Sequence, residues 1–227
     1  MSTVIELRKV SKSYKTGKLH VDALKNVDIK IEEGEFVAIM GPSGSGKSTL
    51  MHIIGLLDRP TEGDLYISGK KIELNMPDAK LAKLRSEKIG FVFQTFNLLS
   101  KITAIKNVLM PTQYRKIGKK DRDARAKELL REVGLAGREA HKPTELSGGQ
   151  IQRVAIARSL INNPDIILAD EPTGNLDSKS GTEIMNLLTE LNKKGKTVIL
   201  ITHDPRIAGF AKRTIQILDG KVQKGGK

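Results

Sequence analysis

The sequence has no cysteine, no tryptophan and no apolar run approaching the length of a membrane span. Without cysteine there is neither a disulfide framework nor a thiolate metal site, a composition suited to a reducing compartment. Crossing a bilayer takes about 18 consecutive apolar residues, so the chain reads as non-spanning. Its N-terminal stretch carries Glu6 and lacks the hydrophobic core of an export signal, which predicts a cytoplasmic protein. Repeats and low-complexity tracts are absent too. The formal net charge of +13 has none of the zinc, RNP or basic-zipper patterns that accompany nucleic-acid recognition. Basic residues are spread along the chain, and the densest run, Arg115 to Lys127, is interleaved with Asp121 and Asp123 like a solvated helix face. No specific nucleic acid is expected. A weak attraction to anionic lipid is consistent with this surplus, at about 1 kcal/mol per residue that reaches the surface.

Against these absences stands one glycine-rich string, Gly41-Pro42-Ser43-Gly44-Ser45-Gly46-Lys47-Ser48-Thr49. The run Glu35 to Met40 before it reads as a buried strand. After it, Leu50, Ile53, Ile54 and Leu57 recur at helical spacing. Strand, loop, helix is the context that G-x-x-x-x-G-K-[ST] needs to be a phosphate loop. Its glycines let successive N–H groups turn inward as an anion nest, and the helix N-terminus adds positive charge beneath. In such a loop Lys47 reaches the β- and γ-phosphates, Ser48 ligates Mg²⁺, and Thr49 bonds on the α-phosphate side. With so few aromatics, an adenine platform comes from a short list, and Tyr14 in the β-like stretch Val4 to Tyr14 is the candidate. Ring-on-base stacking is worth about 1–3 kcal/mol. An ordinary half-buried strand tyrosine is the alternative.

Three other apolar runs end in polar side chains. Ile166 to Ala169 leads into Asp170 and Glu171. Mg²⁺ already held by phosphates needs only one or two protein oxygens and keeps its waters, so Asp170 suits a role on the metal that acts through a bound water. Glu171 projects differently as the chain leaves the strand, toward the water that attacks a γ-phosphate, as base or orienting acceptor. Thr197 to Thr202 leads into His203, placed at the carboxyl edge of a sheet where ligands bind. A structural histidine is the alternative there, and Asp204 reads equally as a helix N-cap before Pro205. Ile89 to Phe93 leads into Gln94, whose amide oxygen can ligate Mg²⁺ or can belong to a plain polar loop.

Far downstream lies a second string, Leu146-Ser147-Gly148-Gly149-Gln150, a glycine turn before a helical pattern reaching Leu160. Ser147 is a good N-cap, and the helix behind it offers another positive end to an anion. One nucleotide site has little use for two such features unless the second serves a partner chain. Taken in order, the phosphate loop, Gln94, Leu146 to Gln150, Asp170-Glu171, Asn175-Leu176-Asp177 and His203 resemble the ATP-binding subunit of an ATP-binding-cassette (ABC) transporter. The resemblance covers essentially the whole chain, and Leu146 to Gln150 is its most specific part.

The resemblance implies an ATPase using ATP and Mg²⁺, catalysed by Glu171, His203, Lys47 and Gln94. It implies a head-to-tail dimer, with a second copy or a related cassette, in which each ATP lies between one Lys47 loop and the other chain's Ser147-Gly148-Gly149 turn. Asp177 would lie in the loop that crosses this interface. Many members have Ser-Ala-Leu-Asp where this chain has Gly174-Asn175-Leu176-Asp177. Gly90 to Gln94, Phe96-Asn97-Leu98-Leu99 and Glu171 to Asp177 look closest to the lipoprotein-release and macrolide-export branch. A separate integral-membrane subunit, contacted near Gln94 to Leu99, and a place on the inner membrane face are implied as well. Core packing is the other reading of Phe96, Leu98 and Leu99. A soluble ABC ATPase acting on nucleic acid or ribosomes is the rival function, although the coiled-coil insertions, zinc modules or tandem cassettes usual there are not seen. A non-catalytic subunit is a second rival, opposed by the intact Lys47, Asp170, Glu171 and His203.

The expected fold is α/β, a P-loop cassette. Strands near 35–40, 89–93, 166–169, 197–202 and 213–218 would form a mainly parallel core sheet flanked by helices. Antiparallel strands from Val4 to Glu32 make a β subdomain, and Asp219-Gly220 reads as a hairpin turn. The chain is expected to be one ABC ATPase domain: 1–94 and 164–227 form the nucleotide-binding core, and 95–163 an inserted helical subdomain carrying Leu146 to Gln150. Helices are expected at Asp121 to Val133 and at Ser178 to Lys194, the latter with Ile184, Leu187, Leu188 and Leu191 as its core stripe. The Lys224 to Lys227 end predicts no C-terminal regulatory domain.

Overall fold

Alternation of apolar and polar residues builds the first sheet. Ile5 and Leu7, and Ile29 and Ile31, are buried on one face of two long strands, the period of two that a half-buried strand requires. These are β1 (Thr3–Thr16) and β2 (Leu19–Glu32), paired antiparallel. The computed structural model describes residues 2–17, 19–114 and 118–223. Arg115, where the dense basic run begins, and the Lys224 to Lys227 end lie outside the described residues. The chain continues through β3 (Phe36–Met40), α1 (Lys47–Ile54), β4 (Glu62–Ile67), β5 (Lys70–Ile72) and α2 (Asp78–Lys88). Next come β6 (Ile89–Phe93), α3 (Ala104–Leu109), α4 (Lys119–Glu132), α5 (Gly148–Leu160), β7 (Ile166–Asp170) and α6 (Ser178–Lys193). It ends with β8 (Thr197–Thr202), α7 (Pro205–Ala208), β9 (Arg213–Leu218) and β10 (Lys221–Val222).

The chain packs as two compact units, Met1–Ala82 with Asn192–Lys227, and Lys83–Leu191. In the first, β2-β1-β4-β5 form the antiparallel sheet, and β3 lies parallel between β8 and β9. Residues 37–39 of β3 and the whole of β8 are buried; such continuous apolar runs belong to parallel strands covered on both faces. The hairpin joining β9 to β10 turns at Asp219 and Gly220, both at positive φ (49° and 76°). In the second unit, β6 and β7 pair in parallel and α5 packs on β6 and against α3 and α4.

Two boundaries differ from the sequence reading. Helix α1 stops at Ile54 because Leu56 turns left-handed (φ 55°), so Leu57 is 47% exposed instead of continuing the core stripe. On α6 the buried stripe is Ile184, Met185, Leu188 and Leu191, while Leu187 is only half-buried. Segments β4, β5 and α2 had no counterpart in the sequence reading. Among the described residues no helix is long and apolar enough to cross a membrane.

Candidate active site

In the first unit the loop from Gly41 to Gly46 joins the carboxyl end of β3 to the N-terminus of α1. Gly46 is the N-cap at φ 103°, and a Cβ there would meet the Ala23 carbonyl at 2.5 Å, so no other residue fits. Having no side chain, this cap leaves the first N–H groups of α1 free of a side-chain acceptor, and the first turn carries no acid. The Lys47 ammonium folds back on the loop and donates to the carbonyls of Gly41 and Pro42, both at 2.8 Å. Ser45 is 2% exposed, and its Oγ has no hydrogen-bond partner. Pro42, Ser43, Gly44 and Ser48 are exposed, and Gly41 and Thr49 half-buried. An ammonium held only by carbonyls, uncapped N–H groups and an unpaired hydroxyl on one turn are a donor array that fits a polyphosphate.

His203 reaches this loop by strand register. Met40 lies opposite Thr202 in the parallel β3–β8 pair, so the residues that follow, Gly41 and His203, leave the same sheet edge together. Asp204 is the N-cap of α7, accepting from the Arg206 N–H at 2.8 Å. Tyr14 on β1 is 38% exposed, and its hydroxyl donates to Asp58 Oδ2 at 2.9 Å, just beyond α1. Burial raises the Tyr14 phenol pKa, the Asp58 hydrogen bond and charge add to that, and the Thr49 hydroxyl opposes it.

The second unit repeats the register device. Phe93 lies opposite Asp170 in the parallel β6–β7 pair, so Gln94 and Glu171 are the next residues at one edge. Glu171 leaves its strand at φ 43°, a left-handed conformation that costs a non-glycine residue on the order of 1–3 kcal/mol. The turn it starts closes when the Gly174 N–H donates to the Glu171 carbonyl at 3.0 Å. A Cβ on Gly174 would lie 2.6 Å from Gln94 Nε2, so the turn packs directly on the Gln94 side chain. Asn175 Nδ2 then donates to the Gln94 carbonyl at 2.9 Å. Ser48 in the first unit, and Gln94 and Asp170 in the second, carry a hydroxyl, an amide and a carboxylate, hard oxygen donors of the kind Mg²⁺ takes. Among the described residues no cluster of three or more His, Asp or Glu side chains is built to hold a metal alone.

Ser147 caps α5 as its sequence predicts. Its Oγ accepts from the Gln150 N–H at 3.3 Å, and Gln150 Oε1 accepts from the Ser147 N–H at 3.0 Å, a reciprocal capping box. The serine keeps its own O–H to donate outward. Gly148 and Gly149 pack closely on Leu176 and Ser180, where added Cβ atoms would come within 3.3 and 3.2 Å. Asp177 caps α6, its Oδ1 accepting from the N–H groups of Lys179 and Ser180 at 3.1 and 3.0 Å. The Ser180 hydroxyl, then the same N–H groups, hold this carboxyl below its usual range. The structure therefore brings Gln94, Asp170, Glu171 and the 174–177 turn together, and sets the Ser147 turn against that same segment.

The family described as ABC transporter matches residues 24–174 of this chain. The chain belongs to the ABC transporter family. It is an ATP-binding subunit of that family, binding ATP with Mg²⁺ and hydrolysing it. It is 55% identical over 219 residues to the uncharacterized ABC transporter ATP-binding protein YvrO of Bacillus subtilis, covering 96% of this chain and 95% of YvrO. The dimeric post-hydrolysis structure of the ATP-binding cassette MJ0796, bound to ADP and Pi, superposes with a TM-score of 0.88 at 51% identity, over 98% of this chain and 97% of that one. MJ0796 comes from Methanocaldococcus jannaschii. The macrolide export ATP-binding/permease protein MacB of Salmonella typhimurium is 52% identical over 222 residues, 98% of this chain but only 34% of MacB. These ABC relatives do not favour the nucleic-acid or ribosome rival.

Four residues that hold these segments in place, two in each unit, escaped the sequence reading. Gln152 on α5 is fully buried, and its amide donates to the carbonyls of Phe93 (3.3 Å) and Pro172 (2.7 Å), the neighbours of Gln94 and Glu171. Arg158, at the other end of α5, donates to the carbonyls of Phe96 and Asn97, both at positive φ, and burial lowers its guanidinium pKa. Lys12 and Asp58 are the others, bonded to each other at 2.7 Å.

Proposed function

We propose that two copies of this chain, or one copy and a related cassette, close head to tail around two ATP molecules. In each site the loop of Gly41 to Thr49 holds the phosphates and the other chain's Ser147-Gly148-Gly149 turn meets the γ-phosphate. The observation that carries this reading is that one chain builds two separate anion-ready helix starts. One is α1, capped by Gly46 without a side-chain acceptor, and the other is α5, capped by a serine whose O–H remains to donate. The dimeric architecture of the MJ0796 cassette supports it.

Tyr14 stacks the base, Lys47 neutralises the γ-phosphate, and His203 donates to it. Glu171 accepts a hydrogen bond from the attacking water and orients it in line with the scissile bond. Ser48, Gln94 and Asp170 would hold Mg²⁺, which would supply charge neutralisation to the phosphates. Gln150 holds Ser147 in its capping geometry, and Asp177 fixes the start of α6 beside the Ser147 turn. Closure passes through Gln94, the hinge of a helical subdomain (95–163) set in the nucleotide-binding core (1–94 and 164–227), to a membrane subunit docked near Gln94 to Leu99. Leu99 is 52% exposed and Phe96 and Leu98 half-buried, which supports a docking role there. The chain would work on the inner membrane face, powering export or the handling of lipid, lipoprotein, peptide or drug, a reading supported by the likeness to MacB. Ser147→Arg tests it: turnover is lost while the isolated chain still binds ATP. Full activity in that variant removes the shared site.

A further inference from the structure

We propose that Lys12 and Asp58 form a positioning pair that fixes the Tyr14 ring as a one-sided stacking platform for the base of ATP. The proposal rests on reading Tyr14 as that platform.

Three observations on the first unit carry it. Tyr14 is anchored at its far end, its hydroxyl donating to Asp58 Oδ2 at 2.9 Å. The other oxygen of the same carboxylate accepts from the Lys12 ammonium at 2.7 Å, and that ammonium lies 4.9 Å above the centre of the Tyr14 ring. Lys12 is held in turn by the Arg59 carbonyl at 2.7 Å, and its side chain is only 13% exposed. Lys12 and Tyr14 are two residues apart on β1, so their side chains share one face of the strand. A ring with an ammonium over one face and its hydroxyl tethered has little freedom to rotate. It offers a base only its other face.

Asp58 is a part of α1's own terminus. Its N–H donates to the His52 carbonyl at 3.1 Å, in the last turn of the helix that begins at Lys47. The eight residues of α1 span roughly 12 Å at 1.5 Å per residue. The Tyr14 hydroxyl also meets the Thr49 side chain in the first turn of α1, so the platform and the phosphate loop are referenced to one short helix. The pair sets where a base lands relative to phosphates already seated in the loop. It reads no base edge, and stacking is tolerant of base identity, so ATP and GTP should depend on it alike.

The test compares ATP with inorganic tripolyphosphate, which has the phosphates and no base. Equilibrium affinity for each is measured on the full chain, as wild type and as Tyr14→Ala, Tyr14→Phe and Asp58→Asn. Tyr14→Phe removes one oxygen and keeps the ring, deleting the hydroxyl's contacts with both Asp58 and Thr49, whereas Asp58→Asn leaves the Thr49 contact in place and isolates the tether. The expected result is that Tyr14→Phe and Asp58→Asn each weaken ATP and GTP about three- to tenfold, a share of the stacking contribution, with tripolyphosphate affinity unchanged. If Tyr14→Ala weakens ATP while Tyr14→Phe and Asp58→Asn bind it as wild type does, the ring works untethered and the positioning pair is refuted. Equal weakening of ATP and tripolyphosphate also overturns it, because the pair would then be supporting α1. If Tyr14→Ala itself leaves ATP affinity intact, the platform reading fails first and takes the pair with it.

Discussion

Asn175 holds Gln94 by its backbone: the side-chain amide of one donates to the carbonyl of the other at 2.9 Å, across 81 residues of sequence. Where many relatives of the family carry a small apolar residue, this chain has spent a hydrogen-bonding side chain on the joint between β6 and the loop that follows. Gly174 before it packs on the Gln94 side chain. Gly174 and Asn175 thus act on the same glutamine, one by close packing and the other as a donor.

Asn175→Ala removes the clasp and leaves the Gln94 carbonyl to water. A hydrogen bond of this kind is worth about 0.5–1.5 kcal/mol. A fall in kcat of roughly two- to tenfold is expected if that stabilisation is used in the closed state, with ATP affinity of the isolated chain unchanged. Phosphate release at saturating ATP measures the first, and equilibrium titration the second.

Gly174→Ala separates packing from backbone effects, since Gly174 is not among the residues at positive φ. The new methyl collides with Gln94 Nε2, the far end of a flexible side chain. Gln94 is exposed and free to swing aside, so the cost to the fold is small, whereas the displaced amide would leave the place proposed for it beside Mg²⁺. Thermal melts should barely move while the Mg²⁺ concentration needed for half-maximal ATPase rises.

Gln152→Met keeps the volume of a fully buried side chain and deletes the donor to Phe93 and Pro172. The buried Pro172 carbonyl loses its donor, while that of Phe93 keeps the Phe96 N–H, so stability should fall by about 1–3 kcal/mol. A lower urea midpoint with an unchanged slope would report that loss. Turnover should fall as well, because these carbonyls flank Gln94 and Glu171.

Asp177 gives a pH dependence of known sign. Its carboxyl titrates below the ordinary value, chiefly through the Ser180 side chain, so the charged form is favoured when folded. The stability it contributes is full above the unfolded carboxylate pKa of about 3.9 and is lost as pH falls through the lowered folded value. Ser180→Ala should raise the folded pKa toward the ordinary value, shifting that loss to higher pH. Side-chain carbon NMR across an acid titration checks it.

Much of the cassette was legible because its physics is local. The runs from 36–40, 166–169 and 198–201 are apolar throughout, and Ser147 with Gln150 writes its own capping box into four residues. Register then did what sequence could not, bringing His203 level with Gly41 and Gln94 level with Glu171. Helix α2 was illegible because it buries only Leu81 and has no apolar stripe to betray it. Gln152 was illegible for the opposite reason. An amide reads as solvent-facing until carbonyls 59 and 20 residues away are seen to meet it. Lys12 and Asp58 were hidden likewise, since a lysine on a strand and an aspartate after a helix are ordinary surface residues in isolation.

The shared catalytic pocket is tested most directly by size-exclusion chromatography of Glu171→Gln with and without Mg-ATP, beside the double variant Glu171→Gln with Ser147→Arg. Hydrolysis arrested at Glu171 should leave the single variant eluting as a dimer only when ATP is present, and Ser147→Arg should return it to a monomer that still binds ATP. A Glu171→Gln chain that stays monomeric with ATP bound, or a dimer indifferent to Ser147→Arg, would contradict the account.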